Sequence, residues 1–158
     1  MEYKGEDVMR TPTWFEPLGM LLLRLGLAWF IFVWAGNKFT ATGQYQFIMQ
    51  RFDGIEAGPW MVYAIATFQI VICVLVMLGQ WRTVTYALLV GIHALTIYRV
   101  WPGFLEPFAV SEKGFPVNRN GINALAIFLA MIALWLLRGR DTWSLDALRA
   151  RRNEQRDV

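Results

Sequence analysis

Hydrophobicity along this chain falls into four long blocks separated by polar connections. The first runs from Pro17 to Gly36, broken only by Arg24, and the second, Pro59 to Gly79, carries no charge. The third, Thr83 to Trp101, contains His93 and Arg99, and the fourth, Ile122 to Leu137, lies between Arg119 and Arg138. A helix needs roughly 20 residues to cross about 30 Å of hydrocarbon, which the first three blocks supply. Asn120, Gly121 and a tilt complete the fourth. Inside lipid every backbone polar group must bond within the protein, so only helices and closed barrels cross. Continuous rather than alternating hydrophobicity selects helices. The expected fold is therefore all-α: an integral membrane four-helix bundle with spans at about 17–36, 59–79, 83–101 and 122–138. An N-terminal segment, 1–16, precedes it and a basic tail, 139–158, follows.

The connections carry their own patterns. After the first span, Tyr45, Ile48, Met49 and Phe52 recur at helical spacing with Gln44, Gln46, Gln50, Arg51 and Asp53 between them. That is an amphipathic helix, lying most simply in the membrane interface. The stretch from Pro102 to Asn120 is rich in Pro, Gly and Phe and reads as an irregular cap. Beyond Arg138, Asp141-Thr142 resembles a helix cap, and Trp143, Leu145 and Leu148 form a short apolar stripe. The tail then turns Arg-rich, as expected for an interfacial helix fraying into a disordered basic end beside anionic lipid.

Composition supports one membrane domain. Of the 158 residues 56% are apolar and 17% charged, too much apolar surface for a soluble core of this size. The net charge of +3 does not point to nucleic acid, because Lys and Arg sit beside the apolar blocks. Lys4, Arg10, Arg82, Arg138, Arg140, Arg149, Arg151, Arg152 and Arg156 fall on one side, against Lys38, Arg51, Lys113 and Arg119 on the other. The positive-inside bias then puts both termini in the cytoplasm, with the bacterial inner membrane as the expected location. A cleavable leader does not fit the acidic start (Glu2, Glu6, Asp7), the long apolar block or the lack of a small-residue cleavage site. One cysteine, Cys73, excludes an internal disulfide or CxxC pair, and one histidine, His93, excludes bis-histidine haem ligation within the chain. No metal site is expected.

Few residues remain to carry chemistry. Arg24 lies about 10 Å inside the first span by helical rise; such a charge marks function, or else its stem snorkels to the headgroups. Gln69 and His93 fall near mid-depth on neighbouring spans. They can orient a quinone carbonyl or relay a proton, or simply bond to each other between helices. Lys38 and Arg99 gather with Glu106, Asn118, Arg119, Asn120 and Asn123 at the outer span ends. There they can bind an anionic group, or anchor helix ends and pair with Glu106. Arg24, Lys38, Gln69, His93 and Arg99 together form the candidate quinone or anion site. Trp14, Trp60, Trp81, Trp101 and Trp143 mark an aromatic belt.

The run Arg24-Leu-Gly26, Phe30, Gly36-Asn-Lys38-Phe39 resembles the first helix of the DoxX family of small bacterial membrane proteins. The amphipathic segment and the ending Trp143-Ser-Leu145-Asp146 are similar to that family too. The resemblance implies a four-helix bundle that is often a subunit of a larger membrane assembly, with Arg24, Gly36 and Lys38 at motif positions. Some relatives are linked to thiosulfate oxidation with quinone as acceptor, others to thiol and oxidative-stress systems. That chemistry does not transfer easily to a chain without a thiol pair or metal cluster.

Three functions follow as expectations: an accessory or stabilising subunit of a quinone-linked redox complex, a quinone-binding oxidoreductase subunit, or a small transporter. The first expects membrane lipid and other membrane subunits, or further copies of the chain, as partners, and no covalent cofactor. The last ranks lowest, because the four blocks contain no Asp or Glu.

Overall fold

The computed structural model describes residues 12–156. Lys4, Arg10 and the acidic residues Glu2, Glu6 and Asp7 of the expected N-terminal segment lie outside the described residues. The bundle consists of α1 (Phe15–Thr40), α3 (Pro59–Leu78), α4 (Arg82–Val100) and α5 (Arg119–Leu136); α2 (Thr42–Ile48) and α6 (Leu145–Glu154) lie outside it. All four bundle helices, α4 with its 3-10 extension to Phe104, are long and apolar enough to cross a membrane. Helix α1 packs on α3, α3 on α4, α4 on α5, and α5 back on α1, closing a ring. The three-residue turn 79–81 makes α3 and α4 antiparallel, while connections of 18 residues join α1 to α3 and α4 to α5.

The end bearing the α3–α4 turn and α6 is called the tail end here, and the opposite one the cap end. The core runs through Met20, Leu27, Ile31, Ile72, Val76 and Leu89, with Met131 and Leu134 from α5. Ala28, Ala35 and Ala66 are fully buried, small enough to let helices approach where no hydrophobic force drives them together in lipid.

The first span is longer than the expected 17–36. It continues through Lys38 to Thr40, because Gly36 and Asn37 do not interrupt its backbone bonding and the flexible Lys38 stem lets a charge ride at the helix end. The fourth takes in Arg119, Asn120 and Gly121 and stops at Leu136, before a 3-10 turn at Arg138–Arg140. The amphipathic segment is helical as α2 and then widens into a π-helical turn, Met49–Asp53, closed by Gly54 at φ 68°. The 102–118 connection opens with a 3-10 turn and is otherwise irregular, pinned by one antiparallel bridge between Val110 and Pro116.

Helix α3 begins on Pro59, whose missing N–H is not needed in a first turn. It ends on Gly79 in the left-handed region (φ 66°), with Gly79 N–H donating to the Val76 carbonyl and Gln80 N–H to that of Leu75, the Schellman arrangement. A Cβ on Gly79 would stand 2.4 Å from Ser144 Cβ and 2.5 Å from an Arg24 nitrogen. Glycine is thus required here twice, by conformation and by space. Gly79→Ala is expected to destabilise the detergent-solubilised protein by about 2–4 kcal/mol, strain plus overpacking. Gly91→Ala, where a Cβ meets nothing within 4 Å, serves as the near-neutral control. Thermal unfolding in one detergent checks both, and equal midpoints would contradict the close-packing reading.

Candidate functional site

Polar side chains gather at three levels of the bundle. At the tail end Arg24 and Asp141 are buried, 3% and 0% exposed. Arg24 Nη1 donates to Asp141 Oδ2 at 2.9 Å, and the Tyr86 hydroxyl donates to the same oxygen at 2.5 Å. Arg24 lies nine residues into α1, about 14 Å by helical rise. Its Cβ points back toward the helix N-terminus, as every helical Cβ does, so the long arm reaches the tail end. Asp141 arrives from the opposite direction: the 3-10 turn after α5 folds the chain inward and seats its carboxylate among the spans.

Further bonds hold that inward segment. Arg82 Nη1 donates to the carbonyls of Asp141 (2.7 Å) and Arg138 (2.9 Å). Ser144 Oγ donates to the Asp141 carbonyl at 2.8 Å and accepts from Ala147 N–H, capping α6. The cap of that helix is therefore Ser144 rather than the expected Asp141-Thr142, because Asp141 is engaged inside the bundle. Asp146 accepts from the backbone N–H groups of Trp81 (3.0 Å) and Arg82 (2.8 Å). These are orphan donors of the first turn of α4, which its own N-cap Trp81, left-handed at φ 51°, does not satisfy through its side chain. Arg149 reaches Gln80 Oε1 at 2.5 Å. The tail is thus a latch closed over the α3–α4 turn, where sequence suggested a fraying interfacial segment.

At mid-depth, His93 Nε2 lies 3.0 Å from the Ala124 carbonyl. A carbonyl only accepts, so this nitrogen carries the proton and Nδ1 presents a lone pair. Nδ1 and Gln69 Oε1 are both buried without a hydrogen-bond partner among the described residues. The expected Gln69–His93 bond is replaced by the His93 bond to α5. Phe30 stands edge-on to the imidazole at 5.9 Å, with Phe128 at 6.3 Å.

At the cap end, Arg99 pairs with Asp53 of the π-helical turn through two hydrogen bonds, one of them Nε to Oδ1 at 3.1 Å. Asp53 thus stands where one of the two sequence readings put Glu106; the extra residue in the π turn carries Asp53 over the end of α4. Glu106 instead contributes its backbone carbonyl to the Asn118 side chain at 2.8 Å. Lys38 Nζ donates to the Trp34 carbonyl at 3.3 Å and lies 4.6 Å from the centre of the Tyr45 ring. Burial raises the pKa of the Tyr45 phenol, keeping it a donor to the same Trp34 carbonyl.

Arg24, Gln69, His93, Lys38 and Arg99 therefore do not converge on one pocket. Arg24 and Lys38 are fourteen residues apart on α1, about 21 Å by helical rise, and their side chains serve opposite ends. The residues that sequence reasoning missed are Asp141, Tyr86, Ser144 and Asp146. A usable signal was present: a lone intramembrane arginine calls for a carboxylate at its own end, and Asp141 follows the fourth span closely.

The DoxX family model matches residues 19–101, from early α1 to the start of the cap. The chain belongs to the DoxX family. It is a multi-pass membrane protein, and the match takes in Arg24, Gly36, Lys38, Gln69, His93 and Arg99, whereas Asp141 and the latch lie beyond it. No curated protein and no solved structure matches the chain.

Removing one partner of a buried ion pair leaves an uncompensated charge. Arg24→Met or Asp141→Leu alone is expected to cost about 3–5 kcal/mol, whereas changing both together with Tyr86→Phe recovers most of the loss. Denaturant unfolding in a mild detergent measures each, and single and combined variants of equal stability would contradict the pairing. Asp146→Ala, which removes the borrowed cap of α4 and a partly exposed pairing with Arg82, is expected to cost about 1 kcal/mol in the same assay.

Proposed function

We propose that this DoxX protein is an accessory, stabilising subunit of a quinone-linked membrane redox complex in the bacterial inner membrane, with both termini cytoplasmic. The observation that carries the reading is the condition of Arg24. A charge this deep in a span is functional by default, yet here it is closed off by a carboxylate and a phenol of its own chain. Its work is to fix the tail to the bundle, which suits a rigid platform better than a reaction centre. The excess of Lys and Arg at the tail end supports the sidedness. Extraction from native membranes in mild detergent, followed by native electrophoresis and identification of the band, tests the reading. Migration with redox subunits is expected, and migration alone from every mild extraction would contradict it.

A second reading, a quinone-binding subunit, is favoured by one observation: the buried lone pairs of His93 Nδ1 and Gln69 Oε1. Both are acceptors, so they suit the hydroxyl hydrogens of a quinol better than the carbonyls of the oxidised ring. A quinol supplies two-electron chemistry; His93 would take up a hydroxyl proton and Gln69 would orient the ring. Phe30 and Phe128, packed against the imidazole, must shift to admit one. On this reading His93→Ala is expected to lower the quinone content of purified protein at least severalfold, measured by extraction and chromatography. Unchanged content would remove it.

A further inference from the structure

At the tail end a cavity of about 400 Å³ opens between the start of α4 and the end of α5, lined by Arg82, Thr83, Leu136, Arg138, Gly139 and Asp146. Its two guanidinium groups come from different elements and are both held in place. Arg82 is fixed by the carbonyls of Arg138 and Asp141 and by Asp146, whose carboxylate lies 3.7 Å from its Nε. Arg138 donates to the Trp135 carbonyl at 3.0 Å and lies 5.5 Å from the Trp135 ring centre. Against these two positive charges the lining holds one carboxylate, leaving a single positive excess.

We infer that this cavity binds a phosphate group. A fixed guanidinium offers a planar fork that matches phosphate oxygens, and two from different directions clamp one group. The single positive excess matches the single negative charge of a phosphodiester. Ordering the arginines beforehand removes much of the entropy otherwise lost on binding. The site also lies at the level where a lipid presents its phosphate. Trp81, Val84, Leu136 and Leu137 are exposed around the ends of α4 and α5. The Trp135 indole N–H, pinned at 3.2 Å to the Thr83 carbonyl, joins the two helices beside the cavity. A headgroup phosphate and free inorganic phosphate share this chemistry.

Purified full-length protein in a neutral detergent tests the inference, with midpoints of thermal unfolding read against added phosphatidylglycerol, phosphatidylcholine, inorganic phosphate, or sodium chloride at matched ionic strength. Phosphatidylglycerol is expected to raise the midpoint more than phosphatidylcholine, and more than chloride. Arg138→Gln is expected to weaken that response roughly tenfold in ligand concentration, the loss of one charge-assisted contact, with Arg138→Lys intermediate. A second variant avoids the charge: a Cβ on Gly139, which lines the cavity, meets nothing within 4 Å, so Gly139→Val is expected to keep the ligand-free unfolding midpoint while narrowing the cavity. If lipid protects wild type and neither variant, the phosphate is that of a headgroup. If inorganic phosphate alone reproduces the effect, and again only in wild type, the ligand is free phosphate. Equal protection of wild type and both variants, or no protection of wild type by either lipid or phosphate beyond that of chloride, would overturn the inference.

Discussion

The contact between Arg24 and Asp141 decides the shape of the tail end. Two unit charges removed from water cost several kcal/mol each even after relaxation, and neither residue is tolerable alone at its depth. Arg24 is placed by α1, which lipid and the neighbouring spans hold as a helix. Asp141 follows a short 3-10 turn outside the spans, so it is the aspartate that comes to the arginine. The chain after α5 is thereby drawn inward and Ser144 brought against Gly79. From there Asp146 lies over the start of α4, where its carboxylate completes the hydrogen bonding of the first turn. An ion pair that adds little net stability can still specify one arrangement of the tail, and that is the role assigned to it here.

The cap end is organised differently. Asp53 and Arg99 meet at the rim, each about a quarter exposed, where water remains nearby and desolvation is small. Their bond ties the π-helical turn to α4. The Gln46 side chain, donating to the Ala57 carbonyl at 2.7 Å, fastens the same segment toward α3. Among the described residues, the charge pair buried completely lies at the tail end. Between the two ends, among the described residues, the polar atoms buried without a partner at mid-depth are His93 Nδ1 and Gln69 Oε1, with the buried Cys73 thiol one turn along α3 from Gln69.

Much of the architecture was legible in the sequence because lipid imposes one rule on every residue of a span. Hydrophobic length gave four helices, and the spacing of Tyr45, Ile48 and Met49 gave the short helix α2. The ends of spans were less legible: Lys38 belongs to α1 and Arg119 to α5, since long side chains let a helix run past its apolar block. Least legible was pairing. Asp141 lies outside every hydrophobic block and read as a surface cap, and Asp53 was one of several polar residues on an amphipathic face. Which carboxylate meets which arginine depends on turns of one or two residues, whose geometry leaves no periodic trace. The same holds for His93, whose partner is a backbone carbonyl and so carries no sequence signal at all.

The central claim is that Arg24 holds the tail closed. Hydrogen–deuterium exchange of the amides of residues 141–148, compared between wild type and Arg24→Met in the same detergent, addresses it most directly. The amides of Ala147 and Asp146, bonded to Ser144 and Gly79, are expected to exchange slowly in wild type. In the variant they are expected to exchange near the rate of an open chain, while α3 and α5 keep their protection. Unchanged protection of 141–148 in Arg24→Met would contradict the account.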